Sequence, residues 1–143
     1  MQEFLFILKK SPLFGGLKEE EIHTVLSCLS AQKSSYPKSS FILRLGEKAK
    51  SIGLLLSGRA YVMQEDFWGN RNLVTELTAG QVFAESYACT PGSTLQVSVL
   101  AEEPCDVLFL DAQRLLTLCA STCEFHIQLI RNLVSILAQK NLL

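Results

Sequence analysis

Apolar positions follow one rhythm at the ends of the chain and another in its middle. Ile22, Val25, Leu26 and Leu29 fall at i, i+3, i+4 and i+7, which predicts an amphipathic helix. Its first turn is acidic, Glu19-Glu20-Glu21, and that suits the positive end of a helix dipole. The segment before it, up to Lys10, predicts another helix, broken by Ser11-Pro12-Leu13-Phe14-Gly15-Gly16-Leu17. From about Ser40 to Leu110 the apolar runs shorten, at Phe41–Leu45, Ile52–Leu56, Arg59–Glu65, Asn72–Thr78, Leu95–Ala101 and Val107–Leu110. Gly46, Gly58, Gly69 and Gly80 punctuate them about every 11 residues, the spacing an antiparallel β-roll needs for its strands and reversals. Ser57-Gly58 and Asp66-Phe67-Trp68-Gly69-Asn70 read as reversals, the latter as a hairpin tip. Val97-Ser98-Val99 alternates cleanly, whereas Leu54-Leu55-Leu56 does not and predicts a strand covered on both faces.

After Asp111, a residue able to cap a short helix over Ala112–Cys119, the helical rhythm returns. Ser121-Thr122-Cys123-Glu124 has the form of a capping box, and nothing from there to Leu143 breaks a helix. Leu129, Ile130, Leu133, Val134, Ile136 and Leu137 make its apolar surface wider than one stripe, so it must bury against two things. The roll is one; the same helix of a second subunit is the other. The expected fold class is therefore α+β: a jelly-roll-like antiparallel β-roll with N-terminal helices and a long C-terminal helix. The expected organisation is a single domain over 1–143, with N-terminal helices in 1–30, the roll in 31–110 and the short and long helices in 111–143.

Composition narrows the function. A chain of 143 residues, 48% of them apolar, can bury a proper core. A net charge of −1, with both signs interspersed, lacks the clustered Lys and Arg of nucleic-acid binding. No apolar run reaches the roughly 18 residues of a membrane span. At the start, Lys9 and Lys10 follow the apolar stretch, the reverse of a secretory signal, so the cytoplasm is the expected location. Five scattered cysteines without Cys-x-x-Cys spacing then read as reduced, packed thiols.

The stretch Gly80-Gln81-Val82-Phe83-Ala84-Glu85-Ser86, together with Leu45-Gly46-Glu47, Leu56-Ser57-Gly58 and the order of the elements, resembles the cyclic-nucleotide-binding sensor domain of the Crp/Fnr transcription regulators. The family pattern reads roughly Gly-x-x-Phe-Gly-Glu, then a short helix, then Arg followed by Ser or Ala. The resemblance implies a ligand pocket near 80–97, with Phe83, Ala84, Glu85, Ser86, Leu95 and Gln96 as candidate ligand-binding residues. It implies that Glu85 accepts from a ribose hydroxyl and that Ser86 opens the short helix. It also implies a homodimer whose seam is the last helix, with Ile130, Leu133, Val134 and Leu137 as candidate contacts. DNA would be met only through a following helix-turn-helix domain, for which no residue remains here, so specific DNA binding by this chain alone is not expected.

Two departures bear on the ligand. Ala84 stands where the family has its second glycine, and the count back from Val99-Leu100-Ala101 puts the family's phosphate-holding arginine at Leu95. From Asn72 through Gln113 there is no Arg, Lys or His; only Arg59 and Arg71 lie on neighbouring predicted strands. Losing one charge-assisted pair costs about 2–5 kcal/mol. The expected function is small-molecule sensing, with cAMP not held in the usual way. Two alternatives stay open: a true cyclic-nucleotide domain with a non-standard phosphate contact, and a ligand-free dimerisation module.

Other chemistries find less support. Glu85 read alone is better taken as a turn carboxylate that caps the helix and binds nothing. Cys119, Cys123 and His126 are spaced for one side of a helix, but the capping signal leaves Cys119 outside it. His23 and His126 both fall on predicted helices, which leaves a cupin-like metal cage without ligands and a catalytic triad without its base. No catalytic residue, metal ligand or cofactor is assignable, and Cys89 reads as an inert thiol in the pocket segment.

Overall fold

The computed structural model is described over residues 2–65, 68–117 and 124–141. Helices α1 (Leu5–Lys10) and α2 (Glu19–Cys28) precede strands β1 (Gln32–Tyr36), β2 (Phe41–Leu43), β3 (Ser51–Ser57), β4 (Ala60–Glu65) and β5 (Arg71–Leu77). Then come β6 (Val82–Phe83), α3 (Glu85–Ala88), β7 (Ser98–Ala101), β8 (Cys105–Asp111), α4 (Ala112–Thr117) and α5 (Glu124–Asn141). The strands pair antiparallel in two four-stranded sheets, ordered β1-β8-β3-β6 and β2-β7-β4-β5. This is the β-roll with flanking helices that the apolar rhythm predicts.

Strand β3 accounts for the layering. Ile52, Leu54 and Leu56 point into a cluster with Leu8, Phe14, Ile22, Leu26, Leu129 and Leu133, the layer where the helices pack. Leu55 points the other way, into a second cluster with Ile42, Val99, Ala101 and Val107 between the sheets. Successive strand residues face opposite sides, so a strand sandwiched between two apolar layers must be apolar throughout. Its five central residues are all buried.

Several local signals act as read. The Lys18 amide donates to Glu21 Oε1 at 2.8 Å and starts α2. The Arg114 amide donates to Asp111 Oδ1 at 3.1 Å and starts α4. Residues 118–123, with Cys119, Cys123 and most of the capping signal, and residues 66–67 of the hairpin tip lie outside the described residues. Two corrections concern the strands. The predicted Leu95–Ala101 strand begins only at Ser98, because residues 96 and 97 bend, and β1 and β6 had no apolar signal strong enough to announce them.

Asp106 ties three strands together. Its Oδ1 accepts from Ser35 Oγ of β1 at 2.5 Å and its Oδ2 from Ser57 Oγ of β3 at 3.1 Å. The Ser35 hydroxyl holds the carboxyl below its ordinary value of 3.8 against the opposing effect of burial, with Ser57 and the charge of Lys33 adding. A depressed folded pKa contributes stability that is complete above the unfolded value and fades as pH falls through the folded one. Asp106→Asn is therefore expected to flatten the acid limb of stability below pH 3.8. Urea titrations of both proteins across that range check it.

Candidate functional site

The Phe83–Ser86 stretch is placed by a short pairing and a forced turn. In β6, Val82 and Phe83 pair with Leu54 and Gly53 of β3. An added Cβ at Gly53 would run into the Phe83 ring, so the absence of a side chain there is what seats the ring. Ala84 then adopts the left-handed conformation, φ 63°, at a cost of about 1 kcal/mol for a residue with a Cβ. That turn carries Glu85 inward, where it is 2% exposed.

The ammonium of Lys140, in the last turn of α5, sits 2.5 Å from Glu85 Oε1. This ion pair compensates the buried charge at Oε1, while Oε2 has no hydrogen-bond partner among the described residues. Lys140 Nζ also donates to the Val82 carbonyl at 2.9 Å, so α5 is fastened to β6 beside the carboxylate. Further down the helix, the Asn132 amide donates to the carbonyls of Leu13 at 2.9 Å and Gly15 at 2.8 Å.

Glu85 and Lys140 border a cavity of about 430 Å³. Its remaining wall is mostly aliphatic: Leu43, Val62, Leu77 and Val99 from the second sheet, and Leu95 and Val97 from the approach to β7. Of the residues predicted from the sequence, Phe83, Ala84, Glu85, Ser86 and Leu95 line this cavity. Gln96 does not: it lies in the bend before β7 and is exposed, while Leu95 beside it is buried. Arg59 is engaged elsewhere, with Glu76 at 3.2 Å and Glu103 at 3.8 Å; the Glu76 hydrogen bond and the neighbouring glutamates raise its pKa. Lys140 is the residue the sequence reading missed. The pocket segment from Asn72 to Gln113 carries no cation, and this one arrives from the far end of the chain. The only local signal was a lysine closing a largely apolar helix.

Cys89 lies beside the site, and burial, followed by the charge of Glu85, pushes its thiol up. That keeps it protonated at neutral pH, in the direction of inertness. Among the described residues no three His, Cys, Asp or Glu side chains gather to hold a metal ion.

The candidate seam residues divide. Leu133, at 2% exposure, belongs to the chain's own core. Ile130 and Leu137 are half-buried against that core, and Val134, like Ile127, is exposed. Val134, Leu137, Ala138 and Lys140 form, with Ser86 of α3, a shallow groove of about 500 Å³ next to the cavity. Among the described residues no helix is long and apolar enough to cross a membrane.

Comparison with known proteins agrees with this geometry. Residues 33–122 match the family described as the cyclic nucleotide-binding domain. The chain is 29% identical over 72 residues to the cAMP-activated global transcriptional regulator CRP of Pasteurella multocida, covering 50% of this chain and 34% of that one. It is 28% identical over 96 residues to the cyclic AMP receptor protein of Thermus thermophilus, covering 67% and 44%. The chain thus spans less than half the length of these relatives. The crystal structure of a cyclic nucleotide-binding domain from Methylobacillus flagellatus superposes with a TM-score of 0.80 at 23% identity, over 97% of this chain and 76% of that one.

Proposed function

The chain belongs to the cyclic nucleotide-binding domain family, and from that premise we propose that it is the effector-sensing domain of a cytoplasmic Crp/Fnr-like transcription regulator, not an enzyme. The observation that carries the reading is Glu85. A buried carboxylate that Lys140 pairs at one oxygen, and whose other oxygen has no hydrogen-bond partner among the described residues, leaves an acceptor on the wall of a cavity of about 430 Å³ that an arriving donor would satisfy. A small molecule with hydroxyl or amine donors meets that need, and the aliphatic walls enclose the rest of it. Leu95, where the resemblance puts the phosphate-holding arginine, offers only an apolar surface, so a cyclic phosphate is not held there in the usual mode. A second reading has its own support: Lys140 brings a cation to the same wall, and through it a cyclic nucleotide would find a non-standard phosphate contact.

The proposed output runs through α5. The exposed Val134 and the half-buried Ile130 and Leu137 form the seam with a second copy, and a ligand that prefers one seam geometry shifts the dimer between two states. In a longer chain, DNA is met by a helix-turn-helix domain beyond α5.

A thermal-shift series with cAMP, cGMP and a panel of small metabolites tests this. A panel member is expected to give a saturable rise in melting temperature, since a ligand at 100 times its Kd adds about 2.7 kcal/mol of stability. Either nucleotide is expected to give far less. Glu85→Ala is expected to abolish the rise while its unliganded melt stays cooperative. A rise that survives Glu85→Ala removes the pocket assignment. A strong response to cAMP favours the second reading, and silence across the panel leaves only a dimerisation module.

A further inference from the structure

Lys140 is anchored at the cavity without using all its capacity. An ammonium has three donors, and here one goes to the Val82 carbonyl and a second faces Glu85. The side chain is half exposed, free to turn its remaining donor toward a guest. Glu85 beside it keeps an acceptor, Oε2, with no hydrogen-bond partner among the described residues. The rest of the wall is mostly aliphatic, with the hydroxyls of Thr75, Ser86 and Tyr87 as its other polar groups, so among the lining residues this couple is where a ligand's charged group goes. An anion alone would be repelled by the buried carboxylate; an anion with an adjacent O–H or N–H satisfies both members of the couple.

Resting on the reading of this cavity as an effector pocket, we propose that Lys140 is its anion-binding residue. The cation then comes from α5 instead of the sheet, and the ligand is an apolar body bearing an anionic group next to a hydrogen-bond donor. Because the contact is made by the helix itself, a bound anion fastens α5 to the α3 segment directly. Ligand chemistry and helix position thus meet at one nitrogen atom.

Two fluorescent probes test this without knowledge of the natural ligand. 8-Anilinonaphthalene-1-sulfonate carries a sulfonate beside an N–H on an aromatic body, and N-phenyl-1-naphthylamine is the same molecule without the sulfonate. Titrated into the full chain, the sulfonate probe is expected to bind about ten- to a hundredfold more tightly, the worth of one charge-assisted hydrogen bond. Lys140→Met is expected to erase that preference, bringing the two probes' affinities together, and Lys140→Arg to retain it. A cavity-filling Val97→Trp is expected to exclude both. The proposal is overturned if the preference survives Lys140→Met, if either probe still binds the Val97→Trp variant, or if neither probe binds the wild type. Failure of the effector reading shows separately, as silence in the metabolite series.

Discussion

Leu133→Glu is expected to unfold the domain instead of splitting a dimer. Its side chain is 2% exposed, packed in the helix-layer core with Phe14, Leu129 and Ile136. Truncating such a leucine costs about 2–5 kcal/mol, and placing a carboxylate there without a partner adds to that. A domain of ordinary stability, about 5–15 kcal/mol, would lose much or all of its folded population. Urea denaturation and the far-ultraviolet circular dichroism of the variant check this. Val134→Glu, on the same helix but 58% exposed, supplies the contrast. It is expected to keep a wild-type midpoint within about 0.5 kcal/mol and to shift only the sedimentation behaviour. A Leu133→Glu protein that folds normally and is merely monomeric would place that side chain in the seam after all.

Gly53→Ala carries the second large effect. The new methyl group would meet the Phe83 ring where β3 pairs with the edge strand β6, and that ring is itself buried in the core between the sheets. Overpacking of this kind costs about 1–3 kcal/mol. Because the Phe83 ring also lines the cavity and packs edge-on to Phe109, with centroids 6.4 Å apart, the disturbance should reach ligand binding as well as stability. The expected signature is rescue: Phe83→Leu in the Gly53→Ala background should recover much of the lost stability, although each substitution alone destabilises. A double-mutant cycle by urea denaturation measures the coupling. Strictly additive effects would mean that the two positions do not oppose each other.

What the sequence disclosed depends on how far its determinants lie apart. The doubly covered β3 was legible because an unbroken Leu54-Leu55-Leu56 run on a strand puts leucine on both faces at once, and the Asp111 cap because cap and helix are neighbours. The β1 segment, Gln-Lys-Ser-Ser-Tyr, offered no apolar alternation; it is held by pairing with β8 and by the Ser35–Asp106 bond, which a local pattern does not encode. The width of the α5 stripe implied two surfaces but not which residue faces which, and so Leu133 and Val134 were grouped together. In the site, Phe83 through Ser86 could be read from a contiguous motif. Lys140 could not, since nothing near Glu85 in the chain points to the end of a helix that returns to it.

The two attachments of α5 differ in kind. Asn132 holds the helix to backbone carbonyls of the Leu13–Gly15 turn, and those acceptors cannot be swapped by a side-chain rotation. Lys140 holds it through a flexible stem, half in solvent. About two helical turns, roughly 12 Å, separate them. The arrangement is a lever with a fixed fulcrum and a releasable tip. A swing of about 10° around Asn132 moves the tip by roughly 2 Å on that length, comparable with the Lys140–Glu85 contact itself. Sliding the helix along its axis would break the Asn132 bonds as well, so a change of angle costs fewer hydrogen bonds than a slide past the core packing of Leu129, Leu133 and Ile136.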